Sequence, residues 1–431
     1  MAPKRRGGAS GETPSAPEDS AKPARTNLAV LELYVHELCS LHETTFPGDE
    51  FEHQESPGRV EAIEAAIRGE RHVAVRDDFD AASREDLLRV HSPEYLAALA
   101  AAAADPAPGR RRCLTPILKN ALHGAAVDEA DGCTPFGPRT VVAAERAAGA
   151  VCAVVDEALA RPRDSEPLRA FVCVRPPGHH AERAGLNLTA ESCGFRRGER
   201  VRTERGREGE SAVPRAGGFC VLSNVAIAAA RALATHPTAR VAIVDIDVTH
   251  GNGTEDWAVR ADSDRLFFAS IHADVDFPGV PRTINNAQTQ TTIDNQELGP
   301  AWMNARGVNG CRQKFRQFVH WKAKEMAAFR PDLLIISTGF GAARGDAVGA
   351  NPWIGDPAAP RGYDVAPEAV GLEPDDFATM TRDLLDHLPD RVPVVSVLEG
   401  GCGAPRDDDP GFDRTVLVAA ALAHVCALRE Y

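Results

Sequence analysis

The sequence predicts an α/β fold in three layers, αβα, with an open and mostly parallel sheet covered on both faces by helices. Three observations lead there. Apolar runs beginning near residues 170, 241, 266 and 332, with a fifth at 392, are separated by helical stretches. The runs are almost continuously apolar, as strands buried on both faces must be. Glycine and polar residues follow the C-terminal end of each run, where such sheets place their ligand crevice.

Residues 1–27 carry Lys4-Arg5-Arg6 and then Gly, Ser, Pro, Glu and Lys, without the apolar core of a signal peptide. A disordered tail is expected there, ahead of a domain spanning 28–431. The basic cluster reads as a nuclear address or as an ordinary solvated tail. Residues 29–35 are a first strand. His53-Gln-Glu-Ser-Pro57-Gly-Arg59 is a loop opening a helix over roughly 58–68. In Val90-His-Ser-Pro-Glu-Tyr-Leu96, Ser92 has the place of an N-cap and Pro93 that of the first helical residue, ahead of an alanine-rich stretch. Residues 105–138, rich in Pro, Gly and charge, are expected to form a long surface excursion.

A helix from about Arg139 to Ala160 leads into the strand 170–174, which ends in Arg175-Pro-Pro-Gly-His179-His180. Two histidines at a strand terminus suit proton transfer near neutral pH. Residues 196–216 run through arginines, glutamates and glycines and read as an insert, either a disordered surface loop or a gene-model artefact. Gly217-Gly218-Phe219-Cys220 then precedes an amphipathic helix to about Ala234.

The run Val241-Ala-Ile-Val-Asp245-Ile-Asp247 ends in a glycine-rich loop. Alternate strand residues share a face, so both carboxylates can enter one site, and such a pair calls for a cation. Another buried strand, 265–272, includes Ser270. A helix over roughly 309–329 precedes the run 332–338 and Gly339-Phe-Gly341. A Pro/Gly-rich loop at 347–371, a helix opening at 373 and the run 392–398 before Glu399-Gly-Gly-Cys402 complete the pattern.

A net charge of −14 argues against broad binding to a phosphate backbone, so no direct nucleic-acid contact is expected. No apolar run reaches the length of a membrane span. The 10 cysteines include no Cys-x-x-Cys pair, which suits reduced thiols in a nuclear or cytoplasmic, not secreted, protein.

The segment 245–253 resembles the Asp-x-Asp-x-His-His-Gly-x-Gly element of zinc-dependent histone deacetylases and acetylpolyamine amidohydrolases. Arg175-Pro-Pro-Gly-His-His, Gly-Gly-Phe-Cys, Ser-Thr-Gly-Phe-Gly-Ala and Glu-Gly-Gly-Cys are similar to further elements of that family. The resemblance implies an arginase/deacetylase-like fold with His179 and His180 facing a metal-bound water. Asp245 would orient His179, and Asn252 would stand behind His180. Arg59 would lie beneath the site. Asp245, Asp247 and Ser270 would hold a structural K⁺. Gly218, Phe219 and Phe277 would line an acyl-lysine tunnel, and Asp131 would grip the substrate at its rim. An acetylated protein such as a histone tail, or a corepressor-like partner, is the implied ligand.

The metal set departs from the family's. Its three zinc-ligand positions fall on Asp247, Thr249 and Gly341, and its oxyanion-donating tyrosine on Cys402. A catalytic zinc needs three protein ligands and an open position. A full structural zinc set is worth roughly 10–16 kcal/mol, so losing two of three ligands removes a large share of any comparable affinity. Losing one oxyanion donor costs about 10²–10³ in rate. The expectation is a deacetylase scaffold with impaired or absent hydrolysis. Its alternative is a working zinc deacetylase with His250, Asp346 or Cys402 as substitute ligands. A two-metal, arginase-like enzyme has less support, because the paired Asp/His clusters it needs are not visible.

Overall fold

The computed structural model describes residues 29–46, 49, 52–105, 112–123, 134–162, 164–185, 218–273, 289–298, 300–347, 370–406 and 411–430. Among them, nine strands form one sheet. They are β1 (Leu31–Tyr34), β2 (Val73–Arg76), β3 (Arg169–Val172), β4 (Val241–Asp245), β5 (Leu266–Ala273), β6 (Thr292–Ile293), β7 (Gln296–Leu298), β8 (Leu333–Thr338) and β9 (Val394–Leu398). Their order is β2-β1-β3-β9-β8-β4-β5-β6, with β7 paired to β5, and every pairing is parallel. A separate antiparallel pair joins β10 (Ala404–Pro405) to β11 (Phe412–Asp413).

The helices are α1 (Pro57–Arg68), α2 (Arg84–Leu88), α3 (Pro93–Ala104), α4 (Leu114–His123), α5 (Thr140–Ala160), α6 (Asn224–Thr235), α7 (Asn252–Ala261), α8 (Pro300–Phe329), α9 (Pro374–His387) and α10 (Thr415–Arg429). Strand alternation divides them into two layers. In β4, Val241 and Ile243 join a core with Val151 of α5 and Ile227 of α6. Ala242 and Val244 join the opposite core with Ile63 of α1, Phe315 of α8, Phe377 of α9 and Leu417 of α10. Burying such a Phe or Leu side chain contributes roughly 1.5–3 kcal/mol, which is why a run without polar alternation is stable only between two helical layers.

The order β3-β9-β8-β4 brings the C-terminal ends of four strands side by side. Each is followed by one of the chemically unusual loops: His179-His180 after β3, Glu399 to Cys402 after β9, Gly339 to Gly341 after β8 and Asp247 to Thr249 after β4. The site is therefore assembled from residues far apart in sequence by sheet order alone.

Several expectations need correction. The first strand is shorter than 29–35, and the strand leading to the histidines ends at Val172, not Val174. The excursion expected at 105–138 contains α4, which buries Leu114, Ile117 and Leu118 in the core. The helix expected at 309–329 begins at Pro300. The cap at α3 is as expected: the Ser92 hydroxyl accepts the Tyr95 amide at 3.2 Å. The tail 1–27, the insert 196–216, Asp131 and Phe277 lie outside the described residues.

Candidate functional site

The floor of the site is a buried ionic cluster built from the loop before α1 and the loop after β3. Glu55 accepts from Arg175 Nε at 2.9 Å and Nη2 at 2.7 Å, and from Arg59 Nη1 at 3.0 Å. Relative exposures of 1%, 0% and 1% for Glu55, Arg175 and Arg59 mean that each charge depends on the others. Burial pushes the Glu55 carboxyl up, but Arg175, His42 and Arg59 outweigh it and hold it down at about 2. The remaining Arg59 donors reach the Glu399 carbonyl at 2.8 Å and the Gly401 carbonyl. Arg59 thus lies under the site and fixes the loop after β9.

Above this floor stand the two histidines, with ring centroids 3.9 Å apart. His179 Nδ1 is 3.0 Å from Asp245 Oδ2, and His180 Nδ1 is 2.7 Å from Asn252 Oδ1, the partners the resemblance implied. The Asn252 amide nitrogen donates to Glu182 at 2.8 Å, so its oxygen must face His180. His180 then carries its proton on Nδ1 and turns a lone pair on Nε2 toward the Thr249 hydroxyl, 3.1 Å away. The two rings differ in charge. Burial opposes protonation of both. For His179 the carboxylates of Asp245 and Asp247 prevail, and its pKa rises to about 10. For His180, burial and the neighbouring His179 charge act together and push the pKa well down. Burial also raises the Asp245 carboxyl, against the pull of His179.

Asp247 closes the other side. Its Oδ1 accepts the Thr249 amide at 3.0 Å and the Thr249 hydroxyl at 2.9 Å, and its Oδ2 accepts the Gly400 amide at 2.9 Å. A Cβ on Gly339 would fall 1.5 Å from Asp247 Oδ2, and one on Gly400 would fall 2.6 Å from it. Glycine is required at both places because the carboxylate occupies the space of a side chain. The Thr249 hydroxyl has one proton for two acceptors, Asp247 Oδ1 and His180 Nε2. Gly341 brings no ligand atom.

The remaining expected residues are not drawn to Asp247. His250 points toward Glu255, with Nε2 2.5 Å from Oε2, and stacks on His272 at 4.5 Å. Asp346 Oδ2 accepts the amides of Cys402 and Gly403 at 2.8 and 2.6 Å, and so caps that turn. Cys402 is buried beside Asp346 and Arg59, and burial pushes its thiol well up. Ser270 pairs with Asp245 across β4 and β5, and its hydroxyl meets the Gly251 amide at 3.2 Å and His272 Nδ1 at 3.1 Å. Gly218 and Phe219 form a turn. Phe219 holds a φ of 70°, rare for a bulky side chain, donates its amide to Thr134 at 3.1 Å and packs edge-on to His53 at 5.0 Å.

Two residues of the site were quoted in sequence motifs but given no role: Glu399 and Cys220. Glu399 is fully buried. Its Oε2 accepts the amides of Gly178 and His179 at 2.7 and 3.1 Å, whereas its Oε1 has no hydrogen-bond partner among the described residues. Burial pushes this carboxyl up to about 7. Cys220 Sγ receives the His180 amide at 3.5 Å. A carboxylate inside a buried glycine turn was the available signal, but its neighbours follow only from β9 lying beside β3.

Known proteins resemble this chain in sequence and in fold. A family model described as the histone deacetylase domain matches residues 53–197 and 210–406. An uncharacterized protein of Synechocystis is 30% identical over 360 residues, covering 82% of this chain and 89% of that protein. Histone deacetylase 14, chloroplastic, of Arabidopsis thaliana is 30% identical over 302 residues, covering 67% and 59%. Type-2 histone deacetylase 2 of Dictyostelium discoideum is 25% identical over 394 residues; the match takes 86% of this chain but 19% of that protein. The crystal structure of the HDA15 HD domain superposes with a TM-score of 0.62 at 22% identity, covering 93% of this chain and 89% of that one.

Proposed function

Because the chain belongs to the histone deacetylase family, whose members act on acetylated lysine and are generally zinc-dependent, we propose that it retains an acyl-lysine pocket as a binding site and has lost efficient hydrolysis. The observation that carries this reading is the closure around Asp247. Both of its oxygens are engaged by Thr249 and Gly400, and a neutral hydroxyl stands where an imidazole ligand is needed. These residues do not fit a catalytic zinc with three protein ligands and an open position. The oxyanion donor is weakened too, since a buried thiol such as Cys402 donates poorly.

The histidine side supports retention of the pocket. Each ring keeps a polar partner on Nδ1, and the glycine turn at 218 leads to Phe219 at half-burial. Rescue of a metal by His250, Asp346 or Cys402 gains no support from their surroundings, because the first faces Glu255 and the second caps the turn that holds the third. The ligand of this reading is an acetylated protein segment such as a histone tail.

Fluorescence anisotropy with an acetyl-lysine peptide and its unmodified twin tests it. Saturable binding of the acetylated peptide, at least about tenfold tighter than the twin, is expected with no deacetylated product by mass spectrometry. Rapid product formation contradicts the loss of hydrolysis, and equal affinity for the two peptides contradicts the pocket.

A further inference from the structure

We propose that His179, Cys220 and Glu399 form a binding site for a zinc-type divalent cation, offset from the family's metal position at Asp247. Among the described residues, these three are brought together with one ligand atom each, all within 4.8 Å of one another, and all three are buried. They come from three separate segments: the loop after β3, the turn before α6 and the loop after β9.

Three features favour an ion there. The donor set is imidazole, thiolate and carboxylate, the mixture that zinc and its cobalt substitute accept in tetrahedral sites. Glu399 Oε1 is buried with no hydrogen-bond partner among the described residues, while its Oε2 is anchored by two amides, so the carboxylate is held in place with one oxygen to spare. A buried, unpartnered carboxylate oxygen is costly, and a cation removes that cost. His179 is oriented by a carboxylate on Nδ1, so Nε2, which stands 4.0 Å from Asp247 Oδ2, is the nitrogen offered to the ion, as in the carboxylate–histidine–metal arrangement that raises ligand basicity.

The dimensions are compatible with a modest closure. Bonds of about 2.3 Å to sulfur and about 2.0–2.2 Å to nitrogen and oxygen give tetrahedral edges of roughly 3.3–3.8 Å, so atoms separated by up to 4.8 Å need to approach by up to about 1.5 Å. Binding expels the thiol proton and any proton on His179 Nε2, so affinity rises with pH. Asp247 is not required as a ligand. Cation binding at this site is read out by thiolate ligation, apart from any turnover of acetyl-lysine.

The test uses the full chain, stripped of metal with a chelator and titrated anaerobically with Co²⁺. One equivalent should bind with a thiolate-to-cobalt charge-transfer band, and Zn²⁺ should displace it and raise the melting temperature. Cys220→Ser should abolish the band, Glu399→Gln should weaken Co²⁺ binding at least about tenfold, and Asp247→Asn should leave the band in place. If Cys220→Ser fails to fold, X-ray absorption of the zinc-loaded native chain decides the same question, with one sulfur neighbour expected at about 2.3 Å. A native chain that binds no Co²⁺, or a band that survives Cys220→Ser, overturns the site while leaving the proposed function intact. A thiolate-free cobalt site lost in Asp247→Asn places the ion at the family's position, and overturns both.

Discussion

The floor of the pocket and its metal side were built under different constraints. In the floor, the Glu55 carboxylate binds both Arg59 and Arg175 within hydrogen-bonding distance; the spare donors of Arg59 run to backbone carbonyls of the loop after β9, and those of Arg175 to the carbonyls of Cys39, His42 and Glu55. On the metal side, Asp247 is equally buried, but its hydrogen bonds come from Thr249 and a backbone amide, and the charged group nearest it is the His179 ring, 4.0 Å from its Oδ2. The floor retains what a shaped pocket needs. The metal side retains a carboxylate, Asp247, that is tied into a local turn. On the proposed reading, architecture and catalysis are separable in this fold.

The largest effect is expected at the floor. Glu55→Gln leaves two buried guanidinium groups without a carboxylate, and removing one partner of a buried pair costs about 3–5 kcal/mol. Chemical denaturation should register that loss. A loss below about 1 kcal/mol would mean that water reaches the arginines and that the floor does not hold the site.

Acid should reveal the same asymmetry. Glu55 is held at about 2 against an ordinary 4.5, so its folded-state pKa is depressed. Its stabilisation, on the order of 3 kcal/mol, is fully present above about pH 4.5 and is lost as pH falls toward 2. Melting temperatures of the native chain and of Glu55→Gln should therefore converge across that window. Parallel curves would show that the carboxylate is not the titrating group.

On the metal side the expected effects are smaller. Gly339→Ala places a methyl where Asp247 Oδ2 sits and should cost about 1–3 kcal/mol as the carboxylate is displaced. Thr249→Val removes one hydroxyl but leaves the Thr249 amide on Asp247 Oδ1, and a loss of about 1 kcal/mol by denaturant titration is expected. If Thr249→Val proves as damaging as Glu55→Gln, the hydroxyl is a structural keystone and the contrast between the two regions fails.

Much of this contrast was legible in the chain. The uninterrupted apolar runs point to the sheet, since nothing except a doubly covered parallel strand buries Val241 to Val244 on both sides. The histidine pair and its Asp245 and Asn252 partners were readable because each belongs to a compact motif. Strand β2 was not readable: four half-buried or exposed residues give no periodic contrast, and only pairing with β1 makes Val73 to Arg76 a strand. Helix α4 was hidden inside a segment whose overall composition speaks for loop. The approach of Glu399 to His179 and Cys220 depends on β9 lying between β3 and β8, and local sequence carries no record of strand order.

If hydrolysis is missing because three positions changed while the histidine side stayed in place, restoring those positions should restore turnover. Deacetylation of an acetyl-lysine peptide by the triple variant Thr249→His, Gly341→Asp, Cys402→Tyr, in the presence of zinc and beside the native chain, measures this. Groups that act as a unit are strongly non-additive, so each single change should do almost nothing and the pair Thr249→His, Gly341→Asp should turn over slowly. The triple variant should add the tyrosine's contribution, about 10²–10³ in rate. Turnover by the native chain at a rate near the triple variant's would show that hydrolysis was never lost.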